Sequence, residues 1–223
     1  MYLAEAKGLE VSEQVGHALR AAIEAWQDFP SSELSDHARP CCGIAREWLL
    51  AMDASQMPAG ERLAGPRWIR QRVTWGPSRW PLYWCEAVAA KTLDCGVLAA
   101  LAKAAFRGRG VGCHTAQFIQ QYTKGDSCHW YKSWERAEAE VHWILEDLVY
   151  HEACAVIVGD NEIRIWDPTA SWWVDPKQVI GYSGVLAARV LAAQDDLPRH
   201  FTWGTHRIPL NQWQPLQYAA ELA

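Results

Sequence analysis

The sequence predicts an α+β fold in which helices come first and an antiparallel sheet follows. Three observations carry this. Apolar residues recur at helical spacing through the first half of the chain; an alanine- and leucine-rich run, "LDCGVLAALAKAAF", opens on a cysteine; and from "HEACAVIVGDNEIRIWDPT" onward the period switches to alternation with a hairpin signal in the middle. Helices that precede a sheet, rather than alternate with its strands, argue against parallel βαβ units.

The first helix is expected over residues 9–26, where Val11, Val15, Leu19, Ile23 and Trp26 fall on one stripe. "FPSSELSDHARP" breaks it. A second helix opens at Pro40, a tolerated first-turn position, with Ile44, Trp48, Leu49 and Met52 on one face. Residues 66–84, rich in Arg, Trp and Pro, are expected to be a long ordered surface loop. The cysteine-led run predicts a helix over 93–106 with Leu98, Leu101 and Ala105 on its apolar stripe.

"CHTAQFIQQYT" follows as a strand. "SWERAEAEVHWILEDL" predicts an amphipathic helix carrying Val141, Ile144, Leu145 and Leu148. "HEACAVIV" and "EIRIWDPT" then form a hairpin across "GDN". "SGVLAARVLA" and "HFTWGTHRIPL" supply further strands, although the alanines of the first are also compatible with helix. A single domain over 1–223 is expected, with a helical N-terminal subregion (1–56), a Trp/Arg-rich loop (57–92) and a core (93–223).

A formal charge of -5 and a pI near 5.9 provide no global attraction to nucleic acid or an anionic membrane. The first residues, "MYLAEAKGLEVSEQ", do not read as a secretory signal and no run approaches the length of a spanning helix, so a cytoplasmic protein is expected. Seven cysteines, at 41, 42, 85, 95, 113, 128 and 154, show no disulfide framework and are expected to be reduced. The Cys113-His114 and Cys128-His129 doublets lack a C-x-x-C partner, and Cys41-Cys42 opens an amphipathic helix. These are assigned to packing, with no metal and no cofactor expected.

Chemistry concentrates at Cys95. A thiol in the first turn of a helix meets unpaired N–H groups and the positive end of the macrodipole, which favours the thiolate and lowers the pKa. Gly96 leaves room beside the sulfur, Asp94 or Thr92 can cap the amides, and the Cys95 N–H suits one half of an oxyanion hole. Downstream, strand alternation separates His151, Ala153 and Ala155 from Glu152, Cys154 and Val156. With a three-residue loop of Gly159, Asp160 and Asn161, Val158 pairs with Glu162 and Ala153 with Asp167. That register brings His151 and Asp167 diagonally onto one face. Cys95, His151 and Asp167 are then nucleophile, acid/base and orienter.

"LDCGVLAALAKAAFRGRGV" and "HEACAVIV…IRIWDPT" together resemble the cysteine helix and the histidine and aspartate strands of transglutaminase-like proteins. The match covers residues 92–172. The resemblance implies a papain-like core with the Cys95 helix packed on the sheet, and places the family's catalytic residues on Cys95, His151 and Asp167. Ala153 stands where many relatives have tryptophan. No calcium-loop spacing is present.

Gln71, Trp80 and Trp84, ahead of Cys95, are candidates for a second oxyanion donor and for substrate contact, and Trp166 of the "DPT" strand is a further substrate-binding candidate. Arg67, Arg70, Arg72 and Arg79 interleave with tryptophans in "PRWIRQRVTWGPSRWPLYWCE". A cleft wall, or a patch for an acidic carrier domain or a peptide carboxylate, is preferred there over nucleic acid. The expectation is acyl transfer through an acyl-enzyme on a peptide or acyl substrate, free or bound to a carrier protein. An amine acceptor gives amide formation in a biosynthetic pathway; water gives a peptidase or amidase; a non-catalytic binding module is the remaining alternative.

Overall fold

The N-terminal apolar repeat folds as α1 (Glu13–Ala25), burying Leu19 and Ala22. The structure, a computed structural model, describes residues 13–37, 39–78, 82–176, 184–192 and 197–216. Residues 9–12 of the expected first helix, Val11 included, and Arg79 and Trp80 lie outside them.

α2 (Cys41–Gln56) begins behind Pro40 as expected, but its buried face is Cys42, Ala45, Leu49 and Asp53, and Ile44 is 64% exposed. The rotation has a polar cause. Asp53 is drawn inside to accept from Trp68 Nε1 at 2.9 Å and to pair with Arg109, so the helix cannot present its Ile44 side to the core. The expected loop over 66–84 contains α3 (Trp68–Arg72), β1 (Thr74–Trp75) and the start of α4 (Trp84–Ala89). Burial of Trp68 and Ile69 supplies the anchor that the density of Arg and Pro concealed.

β2 (Thr92–Leu93) pairs in parallel with β1 and leads directly into α5 (Cys95–Gly108). The interior of α5 is buried nearly all round, through Val97, Leu98, Leu101, Ala102, Ala105 and Phe106. β3 (Cys113–Gln121) follows.

The expected helix at 133–148 is corrected. α6 (Lys124–Arg136) starts earlier, capped by Thr123, and stops before Glu138, whose φ of +54° leaves the helical region. Ile144 and Leu145 form β4 (Ile144–Leu145), which turns through Glu146 (φ +57°) to pair Leu145 with Leu148 of β5 (Leu148–Ile157). Helical spacing of the four aliphatics is compatible with a tight hairpin as well.

β6 (Ile163–Asp167) and β7 (Trp172–Val174) continue the sheet. β8 (Val185–Leu191) resolves the alanine-rich run as strand, and β9 (His200–Trp203) and β10 (His206–Pro209) form a hairpin. β11 (Gln214–Pro215) completes the described strands. The main sheet is antiparallel with the order β11-β8-β3-β5-β6-β7, and β4 beside β5.

The fold is therefore mixed α+β, with an N-terminal helix and the Cys95 helix packed on an antiparallel sheet. On the α5 face, Cys113, Cys154, Val156 and Trp166 meet the helix, and α1 covers Ile119, Leu148 and Tyr150 beside it. On the other face, Ala153, Ala155 and Phe118 pack under Phe201 and Trp203 of the β9–β10 hairpin. Among the described residues no helix is long and apolar enough to cross a membrane.

Candidate active site

The β5–β6 register is the one the three-residue loop requires: Cys154 lies opposite Trp166, and the Val158 N–H donates to the Glu162 carbonyl at 2.9 Å. Asp167 thereby reaches His151 diagonally, and Nε2 of the ring stands 3.1 Å from Asp167 Oδ2. The other carboxylate oxygen, Oδ1, accepts from the N–H and the hydroxyl of Thr169, both at 2.7 Å. This explains the aspartate-proline-threonine sequence physically: the threonine occupies one oxygen and leaves the other aimed at the ring. Arg70, from α3, donates through Nε to the Thr169 carbonyl at 2.8 Å and holds this turn in place.

Cys95 meets the same histidine at a break in the sheet. Between Val149, paired with β4, and Cys154, paired with β6, β5 has no strand partner on that side among the described residues. His151 lies within that break, close enough to Cys95 for each side chain to shift the other's titration. Cys95, His151 and Asp167 are thus brought together from α5, β5 and β6.

Asp94 is the helix N-cap, accepting from the Val97 N–H at 2.9 Å, while the Ser78 hydroxyl donates to its other oxygen at 2.5 Å. A Cβ added at Gly96 would collide with Ser32 Oγ and lie 2.9 Å from Ser32 Cβ and 3.2 Å from Glu152 Oε2. The glycine therefore admits Ser32 and a buried carboxyl next to the sulfur.

Glu152, which strand alternation alone turns away from His151, is a member of the site. It accepts from the Ser32 N–H, from Gln117 Nε2 and from the Tyr150 hydroxyl. Gln117 in turn accepts from Arg189, whose guanidinium also binds the carbonyls of Trp26, Gln27 and Phe29. Lys103 of α5 ties Ser31 and Glu33 down from the other side. This polar lattice positions residues 29–32 as a wall of the site.

Electrostatics distinguish the three residues. Burial opposes charge on His151, but the Asp167 carboxylate and the Cys95 sulfur outweigh it and push the imidazole up to about 10. Burial alone would raise Asp167; the imidazolium and Thr169 hold it below the usual carboxylate range. The lowered thiol pKa expected from the helix terminus is not met. Burial, the largest influence, pushes the Cys95 thiol up, the neighbouring Asp94 and Glu152 add to the rise, and the His151 imidazolium opposes them. Burial likewise raises Glu152 and Asp94.

Cys95 opens on a cleft of about 450 Å³, within the range of small-molecule sites. Its walls include Phe29, Trp75, Trp134, Trp143 and Tyr150, and its carboxyl groups include Asp94, Glu138, Glu140 and Glu152, with no Lys or Arg among its described lining residues. Trp134 and Trp143 stack edge to face at 4.8 Å, and Trp75 and Trp134 stand 5.2 Å apart. Trp75 comes from the Trp/Arg-rich stretch expected to wall the cleft, and Trp134 and Trp143 come from beyond it.

Gln71 is exposed on α3, away from the cleft lining, and Trp84 borders a different cavity under Arg46. Trp166 is fully buried against Gly65 and Trp173, where its ring fills the core. Arg72 stacks over Trp48 at 4.6 Å, so it and Arg70 are engaged within the chain. The chain matches no protein-family model and no curated protein.

Proposed function

We propose that this protein is a cysteine acyltransferase of the transglutaminase-like type, with a papain-like core, that passes an acyl group from an amide or thioester to a primary amine. One observation supports the reading: Cys95 at the head of α5 is electrostatically coupled to His151, which is 3.1 Å from a doubly anchored Asp167. A thiol, a ring and an orienting carboxylate in series form the arrangement that nucleophilic acyl transfer needs. Their chain order and the "DPT" turn agree with the family resemblance.

The Cys95 thiolate, paired with the His151 imidazolium, attacks the donor carbonyl and forms a C–S bond, with the Cys95 N–H donating to the developing oxyanion. As the tetrahedral intermediate collapses, the imidazolium gives its proton to the departing nitrogen or sulfur, and the bond from the carbonyl carbon to that atom breaks. The product is a Cys95 thioester. The acceptor amine then attacks this thioester while His151 takes its proton, and the sulfur leaves. Asp167 holds the ring and stabilises its charge throughout.

The cleft favours an amine over water as acceptor. Its walls are aromatic, its exposed carboxylates at Glu138 and Glu140 attract a cation, and no lysine or arginine among the described lining residues repels one. The test is incubation with an activated acyl thioester followed by a primary diamine. Intact-mass measurement is expected to show one acyl adduct, absent in Cys95→Ser, that the diamine discharges to an amide. Discharge by water at the same rate, without amide, identifies a hydrolase instead. No adduct at all refutes the catalytic reading and leaves a binding module.

A further inference from the structure

Separate in role from the Cys95 cleft, three chain segments bring four soft donor atoms together. His37 precedes α2, Cys41 and Cys42 are the first two residues of α2, and Cys85 is the second residue of α4. Their donor atoms all lie within 4.8 Å of one another. We infer that His37, Cys41, Cys42 and Cys85 form a structural zinc site of the three-cysteine, one-histidine class.

The distances decide for a metal over simple packing. In a tetrahedral site with Zn–S of about 2.3 Å and Zn–N of about 2.0 Å, two sulfurs stand about 3.8 Å apart and a nitrogen and a sulfur about 3.5 Å apart. Cys42 Sγ and Cys85 Sγ are 3.8 Å apart; His37 Nδ1 is 3.3 Å from Cys41 Sγ and 3.4 Å from Cys85 Sγ. The sulfurs of Cys42 and Cys85 are well beyond the roughly 2.04 Å of a disulfide. These three spacings match those of a tetrahedral site, and the remaining donor pairs lie within 4.8 Å.

The surroundings support the same assignment. The His37 backbone N–H donates to Cys42 Sγ at 3.3 Å, the kind of outer hydrogen bond that steadies a thiolate ligand. The His37 ring stacks on Tyr83 with centroids 3.6 Å apart, which fixes the orientation that aims Nδ1 inward. Cys42 Sγ also approaches the Ser35 carbonyl at 3.9 Å, a long and weak interaction that gives little hold on the thiol proton. Three thiolates and a neutral imidazole form a soft donor set that fits Zn²⁺ better than the hard cations.

Adjacent cysteines do not prevent closure here. They stand at the N-terminus of a helix, not in an extended strand, so both sulfurs reach one point. The other doublets behave differently: Cys113 is buried on the α5 face of β3, where alternation sends His114 to the opposite face, and Cys128 is exposed.

Zinc here would clamp the starts of α2 and α4. α4 leads through β2 to Cys95, so the metal would fix the strand that delivers the nucleophile.

The whole chain, purified anaerobically without chelator, is expected to hold about one zinc per molecule by elemental analysis. Cys41→Ser and Cys85→Ser each lower that content by at least about tenfold, while Cys128→Ser retains it. Because a ligand variant that unfolds loses metal trivially, the unsubstituted chain is also stripped and titrated with Co²⁺. Visible bands of tetrahedral cobalt, with a sulfur-to-cobalt band in the near ultraviolet, support the site. Zinc content near zero with no such bands overturns it, as does equal zinc in Cys85→Ser, or a Cys41–Cys42 disulfide in the anaerobic protein.

Discussion

Asp167 divides its carboxylate between two partners, one oxygen 3.1 Å from His151 Nε2 and the other held by Thr169. The aspartate cannot rotate without giving up both Thr169 hydrogen bonds, and the imidazole takes its orientation from it. A hydrogen bond to a charged group is worth about 1.5–3 kcal/mol. Thr169→Val keeps the backbone donor and removes the hydroxyl. It is expected to slow acyl transfer by roughly tenfold with the fold retained, as read by single-turnover kinetics beside circular dichroism. A rate equal to that of the unsubstituted chain counts against this positioning role.

The same pair sets a pH window for stability. The folded pKa of His151 is raised to about 10, so its contribution is fully present below the ordinary imidazole value of about 6.5 and is lost as pH rises through about 10. Asp167 is depressed, so its contribution is present above about 3.9 and is lost as pH falls through its folded value. Denaturant unfolding of the unsubstituted chain and of Asp167→Asn is expected to show the largest stability gap near pH 6, shrinking as pH rises from about 6.5 to about 10. A gap independent of pH would show that the pair is not ionised.

Gly96 is expected to be intolerant of the smallest side chain. Gly96→Ala places a Cβ 2.9 Å from Ser32 Cβ, and overpacking of this kind costs about 1–3 kcal/mol. Thermal unfolding of Gly96→Ala, Ser32→Gly and the double variant tests the clash, because removing the Ser32 side chain should recover much of the stability. Strict additivity would contradict it.

At the cleft mouth, replacing Glu138 and Glu140 with glutamine is expected to raise KM for a cationic amine at least about threefold at low ionic strength, with the effect fading as salt is added. Steady-state kinetics with a diamine gives the comparison. An unchanged KM removes these carboxylates from acceptor binding.

The site is legible in the sequence where local rules are sufficient. The "GDN" loop fixes a three-residue connection, and period-two alternation then dictates which residues oppose each other, so the His151–Asp167 diagonal follows from counting. Residues joined by tertiary interactions leave no such pattern. Glu152 becomes part of the site because Gly96 lets α5 approach it, and the wall of Phe29 and Ser32 is placed by Arg189 and Lys103 from distant elements. The apolar spacing over 133–148 suits a helix and a tight hairpin alike; the left-handed residues Glu138 and Glu146 decide between them. The thiol's burial depends on how the cleft closes around Cys95, which helix-end electrostatics alone does not describe.

The most direct measurement is the rate of iodoacetamide alkylation at each cysteine across pH, read by peptide mass spectrometry, in the unsubstituted chain and in His151→Gln. Because the imidazolium opposes the burial that raises the thiol, Cys95 should label at least about tenfold faster with His151 present at every pH below about 9, and the rate should climb with pH. A Cys95 rate unaffected by His151→Gln, or a sulfur slower than the exposed Cys128 at all pH values, would contradict a working nucleophile.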